Sequence, residues 1–310
     1  KICPFCGEEI KSIAIKCKHC GSMLTDSPSA PSVSADMTSI VSQALVGKYE
    51  VLEIIGKGGM ATVYKAKHKT LDKIIALKVI HQNLTHDDEF IERFYREAQL
   101  GATLDHPNIV KVFDVASLGG VHYIAMEYLD GQDLRTYVRE NGILTSAKLL
   151  NVITPIADAL DYAHNKGIVH RDIKSTNIFI TNEGRPVLMD FGIAHAATGT
   201  QLTKTGIVIG TPEYMSPEQA QGHSINNRSD IWSLGIVMYE CLNKEVPFKG
   251  DNPLTTIHQI INNHPDEVRN LNKQVPVWLS SVVASCMEKD PNDRISSCNE
   301  LAEALRNETE

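Results

Sequence analysis

The chain has 310 residues, 42% apolar and 22% charged, which is ordinary globular composition and length for about two domains. A net charge of −8 gives no footing for non-specific nucleic-acid binding, so no nucleic-acid partner is expected. No apolar run approaches the ~18 residues that span a bilayer, and no apolar leader opens the chain. A cytoplasmic protein is expected. The chain begins at Lys1, not Met, and stops soon after its last motif; this suits a piece of a longer protein and leaves room for a membrane span beyond residue 310.

The first element is a pair of C-x2-C knuckles, Cys3-Pro4-Phe5-Cys6-Gly7 and Cys17-Lys18-His19-Cys20-Gly21. A Gly after each second Cys permits a tight turn that aims backbone N–H groups at the thiolates. Two such knuckles can surround one tetrahedral ion. Residues 1–24 resemble a short zinc ribbon with Cys3, Cys6, Cys17 and Cys20 as ligands. Four thiolates on Zn²⁺ leave −2, and Lys1, Lys11, Lys16 and Lys18 against Glu8 and Glu9 leave +2. A redox pair, two disulfides or a rubredoxin-like iron site compete with this reading, although a cytosolic setting disfavours stable disulfides. Four cysteines saturate a structural site, so the module reads as recognition or regulation, with a partner the residues do not name. His19 reads as solvated. Cys241, Cys286 and Cys298 read as buried, inert thiols. Residues 25–46, rich in Ser, Pro and Ala, read as a flexible linker, with a short helical turn over Ile40, Val41, Ala44, Leu45 and Val46.

From Tyr49 the pattern turns to strands. Tyr49–Ile55 leads into Gly56-Lys57-Gly58-Gly59-Met60-Ala61-Thr62-Val63, a loop in which glycines let backbone amides approach a ligand closely. Ile74–Ile80 is an apolar strand interrupted only by Lys78, which is costly there without an anionic partner. Residues 87–104 place Phe90, Ile91, Phe94, Ala98 and Leu104 on a helical stripe, and the same helix carries Glu97. A further strand, Val121–Met126, runs into Glu127-Tyr128-Leu129. A long helix is predicted over 146–166, with Leu149, Ile153, Ile156, Leu160 and Ala163 on one face. It delivers the chain to His170-Arg171-Asp172-Ile173-Lys174-Ser175-Thr176-Asn177, and Asp190-Phe191-Gly192 follows. Ser229–Met238 is apolar nearly all round, so that helix must be buried, with Asp230 at its start as a cap.

In this order the motifs resemble bacterial eukaryotic-like protein Ser/Thr kinases over about residues 47–307. The resemblance implies an α+β, bilobal protein kinase fold. A small β-rich lobe (about 47–127) would sit on a large helical lobe (about 131–307), with ATP between them. It implies that Gly56, Lys57, Gly58 and Gly59 cover the phosphates, with Ala61 in place of a third Gly. Val63, Ala76, Met126, Glu127 and Leu129 would hold adenine, Met126 as gatekeeper and the backbone of Glu127 and Leu129 on the base edge. Lys78 would contact the α/β-phosphates and pair with Glu97. Asp172 would orient the acceptor hydroxyl or take its proton, and Lys174 would neutralise the γ-phosphate. Asn177 and Asp190 would hold Mg²⁺ (or Mn²⁺), as hard oxygen ligands suit. Arg171 would meet a phosphate on the activation segment, with Thr203 and Thr205 as phosphosites and Thr211 bridging Asp172 and Lys174. His195 replaces a usual Arg. Ser216-Pro217-Glu218 stands for Ala-Pro-Glu, Arg294 is the partner of Glu218, and Asp230 would hold the catalytic-loop backbone.

Protein substrates and a homodimer through the small lobe fit the same resemblance. Two other classes compete with it. A pseudokinase scaffold would lack Lys78, Asp172 or Asp190. A small-molecule phosphotransferase would not be expected to combine Lys174, Thr211 and Ser-Pro-Glu.

Overall fold

The computed structural model describes residues 33–191 and 212–307. The cysteine module, and with it Cys3, Cys6, Cys17 and Cys20, lies outside the described residues, as do Thr203, Thr205, Thr211 and His195.

The flexible linker expected over 25–46 does not hold at its C-terminal end. Val33–Leu45 forms a helix, α1. Its Met37, Ile40, Val41, Ala44 and Leu45 recur at i, i+3, i+4, i+7 and i+8, the spacing of one helical face. Val41 and Leu45 are fully buried in a cluster with Tyr49, Tyr64, Leu77, Val121 and Tyr123. Val46, grouped with them on sequence grounds, points out and is 59% exposed. The approach of α1 is close: a Cβ on Gly119 (φ +58°) would lie 3.0 Å from the Ala44 Cβ.

Five antiparallel strands follow: β1 (Tyr49–Lys57), β2 (Ala61–His68), β3 (Lys73–Ile80), β4 (Val112–Leu118) and β5 (Val121–Glu127), in the spatial order β1-β2-β3-β5-β4. Side chains alternate across a strand. On β3, Ile75, Leu77 and Val79 face the α1 cluster. Ala76 and Ile80 join clusters on the other side, with Met126 and with Phe94 and Ala98 of α2 (Asp88–Ala102) respectively. Lys78 shares the parity of Ala76 and Ile80 and so belongs to that inner side. Asp87 caps α2 by accepting the Phe90 N–H at 3.0 Å.

The second lobe begins with a short ladder, β6 (Gly131–Asp133), β7 (Ile178–Thr181) and β8 (Pro186–Leu188). Around it pack α3 (Leu134–Asn141), α4 (Ser146–Asn165), α5 (Pro217–Ala220), α6 (Asn227–Asn243), α7 (Pro253–Asn262), α8 (Val268–Leu271), α9 (Val277–Cys286) and α10 (Cys298–Asn307). The architecture is the bilobal one expected: a sheet with flanking helices on a helical lobe. The stripe predicted on the long helix is buried on α4, which Thr145 caps. The α6 helix is buried on almost every side, as its composition requires. Its cap is Asn226, whose side chain accepts the Arg228 N–H, so the expected capping role of Asp230 is wrong. Asp230 lies inside the first turn and turns its carboxylate elsewhere. Cys241, Cys286 and Cys298 are fully buried, and burial pushes all three thiols up, which suits inert packing. Among the described residues, no helix is long and apolar enough to cross a membrane.

Leu45→Ala tests whether α1 belongs to the folded lobe. Truncating this fully buried side chain is expected to cost about 2–5 kcal/mol in urea unfolding, while exposed Val46→Ala changes stability little. A change near zero for Leu45→Ala would show that α1 is dispensable.

Candidate active site

The loop after α4 is held by one carboxylate. Asp230 is fully buried. It accepts the backbone N–H groups of His170 and Arg171, each at 2.8 Å, and meets His164 Nε2 at 2.7 Å. Arg171 takes φ +69°, a left-handed value that costs a non-glycine residue of order 1–3 kcal/mol unless its surroundings enforce it. The two adjacent bonds to Asp230 supply that enforcement.

The His170 ring is buried and joins two segments. Its Nδ1 accepts the Asp172 N–H at 3.3 Å, so the ring proton sits on Nε2, which donates to the Met189 carbonyl at 2.9 Å. Burial lowers the pKa of His170, outweighing the pull of Asp230, and keeps the ring neutral as this pattern needs. The ring also packs against Phe191, with the two centroids 4.6 Å apart. His170 therefore fixes the spacing between Asp172 and Asp190.

Around Asp172 the polar groups converge. Lys174 Nζ donates to Asp172 Oδ2 at 2.8 Å. Asn177 Nδ2 donates to the Asp172 carbonyl at 2.8 Å and to Oδ2 at 3.0 Å, which turns Asn177 Oδ1 away from Asp172. Asp190, at φ +48°, accepts Lys78 Nζ at 2.8 Å while keeping 39% of its side chain exposed. Burial alone would raise the Asp190 carboxyl; the positive charge and hydrogen bond of Lys78, with the charge of Lys174, bring it below the usual carboxylate range. Glu97 lies on α2, and its side chain, with the expected pairing to Lys78, falls outside the described residues.

Above these groups lies an apolar seam between the lobes. Ala76, Met126 and Leu129 form one cluster with Val110 and Val187, and Val63, Phe179 and Met189 pack against it. Met126 also lines a cavity of about 30 Å³ with Lys78, Asp190 and Phe191. The β1–β2 turn closes with Gly58 N–H donating to the Ala61 carbonyl at 2.9 Å. Gly56, Gly58 and Gly59 all have ordinary φ here, so in this conformation they contribute slimness, not left-handed backbone. The Glu127 N–H donates to the Lys111 carbonyl at 2.8 Å and cannot serve adenine, which leaves that residue's carbonyl for the role.

Two buried networks support the site from below. Arg294 grips Glu218 with two bonds of 2.8 and 2.7 Å, and Ser229 Oγ adds one of 2.6 Å to the same carboxylate. Burial would raise Glu218, but Arg294 holds it below its ordinary value. The second network is one that sequence reasoning missed. The Tyr214 hydroxyl donates to Glu240 Oε2 at 2.6 Å and receives Arg135 at 2.8 Å and Ser175 at 3.0 Å. Burial and the Glu240 charge push the Tyr214 hydroxyl well up, so it stays a donor. One signal was available: Glu240 interrupts the apolar run Ile236–Leu242, where a carboxylate needs a partner.

A family model described as "Protein kinase domain" matches residues 49–306, so the chain belongs to the protein kinase family. It is 40% identical over 268 residues to a probable serine/threonine-protein kinase of Clostridium acetobutylicum, covering 86% of this chain and 41% of that protein. It is 38% identical to serine/threonine-protein kinase PrkC of Bacillus subtilis, covering 84% and 40%. The chain thus spans about two fifths of the length of the curated relatives it matches. The crystal structure of the Mycobacterium tuberculosis PknI kinase domain superposes with a TM-score of 0.66 at 29% identity, covering 84% of this chain and 95% of that one.

Arg294→Ala is expected to destabilise the fold by about 3–5 kcal/mol, because it leaves Glu218 charged and buried without its partner. The pH dependence has a definite sign. The folded pKa of Glu218 is depressed, so the pair stabilises above the ordinary Glu value and that stability is lost as pH falls through the lower folded value. The gap between wild type and variant in thermal unfolding should be widest near neutral pH and narrow in acid.

Proposed function

We propose that the chain is an ATP-dependent protein kinase that transfers the γ-phosphate to Ser or Thr hydroxyls of proteins. The observation that carries this is the convergence of Lys174 and Asn177 on the Asp172 carboxylate, with Lys78 and Asp190 paired on the opposite side of the same cleft. Asp172 orients the acceptor hydroxyl and takes its proton, a role worth ~10²–10⁴-fold. Lys174, two residues on, offsets charge on the transferred group. Lys78, brought to the cleft by strand parity, meets the phosphates nearer the base. Most of the acceleration in this class comes from such positioning and electrostatics.

The donor set fits a hard divalent cation. Asn177 Oδ1 is turned outward by its amide bonds to Asp172, and Asp190 is an exposed-edged carboxylate kept ionised by its cationic neighbours. Mg²⁺ or Mn²⁺ held there supplies charge neutralisation of the nucleotide phosphates. The apolar seam around Val63, Ala76, Met126 and Leu129 suits a purine.

The same reading includes activation by phosphate on Thr203 and Thr205, met by Arg171, whose backbone is already fixed by Asp230 and whose carbonyl accepts Gln219 Nε2 at 3.0 Å. Incubation with Mg-ATP followed by phosphopeptide mapping tests both parts. Wild type should carry phosphate on Thr203 or Thr205, and Asp172→Asn should carry none. Phosphate on the Asp172→Asn protein would overturn the assignment of the base; wild-type phosphate confined to other sites would overturn the loop assignment.

The cysteine knuckles are the basis for a structural Zn²⁺ bound by Cys3, Cys6, Cys17 and Cys20. Elemental analysis of the reduced protein should give one zinc per chain, and Cys6→Ser with Cys17→Ser should remove it. A metal-free reduced wild type would reject the ribbon.

A further inference from the structure

Arg185 projects from the turn between β7 and β8 in the helical lobe. That turn is tight: Gly184 N–H donates to the Thr181 carbonyl at 2.8 Å, and the Arg185 N–H meets Thr181 Oγ1 at 3.2 Å. The side chain therefore leaves a fixed base. Its guanidinium reaches two distant segments. One nitrogen donates to the Pro107 carbonyl at 2.6 Å, in the segment joining α2 to β4. Another donates to Glu127 Oε1 at 2.7 Å, at the last residue of β5.

Glu127 is thereby held twice. Its N–H is bound to the Lys111 carbonyl, and its carboxylate is bound to the helical lobe. Within the described residues, the backbone reaches Glu127 from the helical lobe only through the 108–111 segment, where Leu188 N–H donates to the Asn108 carbonyl and Val110 N–H to the Leu188 carbonyl. The next backbone anchor is three residues on, from Asn182 N–H to the Asp130 carbonyl. Among the described residues, Arg185 makes the ion pair that ties the end of β5 to the helical lobe, beside the apolar packing of Met126 and Leu129 with Val187. It does so at a surface cleft also lined by Asp105, His106 and Lys111. Lys111 is paired with Asp105 at 3.0 Å, so it does not compete for Glu127.

We propose that Arg185 is a positioning residue for the nucleotide. It holds the Glu127 carboxylate against the helical lobe and so fixes the strand end whose carbonyl faces the base. This rests on the kinase reading above, in which adenine lies against Glu127. The fork geometry matters: a planar guanidinium can bridge a carbonyl and a carboxylate together, whereas an ammonium is a single point charge. Both partners are partly exposed, at 37% and 28%, so the effect is moderate and sensitive to salt.

The experiment is calorimetric titration of the whole chain with Mg-ADP, alongside thermal unfolding. Measurable binding by wild type establishes the nucleotide site; its absence would overturn the kinase reading and this inference with it. Given that binding, Arg185→Ala is expected to weaken Mg-ADP about 2–5-fold, the upper part of the range of one partly exposed charge pair. Arg185→Lys should recover only part of the loss. Glu127→Gln should weaken binding similarly, and the double variant should lose little more than either single one. The Arg185→Ala loss should shrink in high salt. Binding by Arg185→Ala within about twofold of wild type, or fully additive losses in the double variant, would overturn the proposal. A fall in melting temperature with unchanged affinity would also overturn it, because it would mark the contact as purely structural.

Discussion

The site depends on the Asp230 carboxylate. A fully buried charge of this kind is costly unless its lone pairs are engaged, and here three donors converge on it. Two of those donors are consecutive backbone amides, which cannot both face one carboxylate unless the chain turns sharply between them. The left-handed Arg171 is that turn. Everything downstream inherits the result: the His170 ring is aimed at Met189, Asp172 follows two residues on, and Asp190 is set at a fixed distance across the ring.

The helix that carries Asp230 does more than bury apolar surface. At Ser229, Ser233 and Glu240 the same helix offers polar groups to Glu218, to the Tyr214 carbonyl and to the Tyr214 hydroxyl. Through Tyr214 the last of these reaches Ser175, next to Lys174. One buried helix therefore anchors the 170–177 loop at two points and the 214–218 segment at three. Buried polar groups confer order only when each is satisfied; Ser229, Ser233 and Glu240 are, whereas Trp232 Nε1 on the same helix has no hydrogen-bond partner among the described residues. Packing of the α6 core and geometry of the site are thus one property, and core substitutions near α6 should be felt as changes in the loop.

How much of this was legible in the sequence depends on range. Local patterns were clear. The stripe on α4, the all-round apolarity of α6 and the odd Lys in β3 each pointed to the right element, because period and burial are written in neighbouring residues. The α1 helix was masked by composition: Ser, Pro and Ala upstream suggested a linker, although the spacing from Met37 to Leu45 is that of a packed helix face. A local rule gives Asp230 a capping role because it sees only a position near a helix start; its hold on the backbone of His170 and Arg171, about sixty residues away, is legible only through the family resemblance. Arg135, Tyr214 and Glu240 were missed for the same reason, since nothing local states which buried acid meets which distant donor.

The join between the lobes shows what kinds of contact carry which burden. Its centre is backbone: Leu188 N–H to the Asn108 carbonyl at 2.7 Å and Val110 N–H to the Leu188 carbonyl at 3.0 Å. Such bonds are insensitive to salt and to side-chain identity. Two ion pairs flank them, Lys78 with Asp190 inside the cleft and Arg185 with Glu127 at its outer edge. Their side-chain exposures run from 18% to 39%, so solvent can screen both pairs and neither can lock the lobes alone. The arrangement therefore combines a permanent axis with adjustable side contacts. Anionic phosphates entering near Lys78 would compete with Asp190 for its charge, while Arg185 and Glu127, on the far side of the strand, would keep their pairing. A ligand can then rearrange the inner contact without releasing the outer one, which suits the nucleotide-binding role proposed for this cleft.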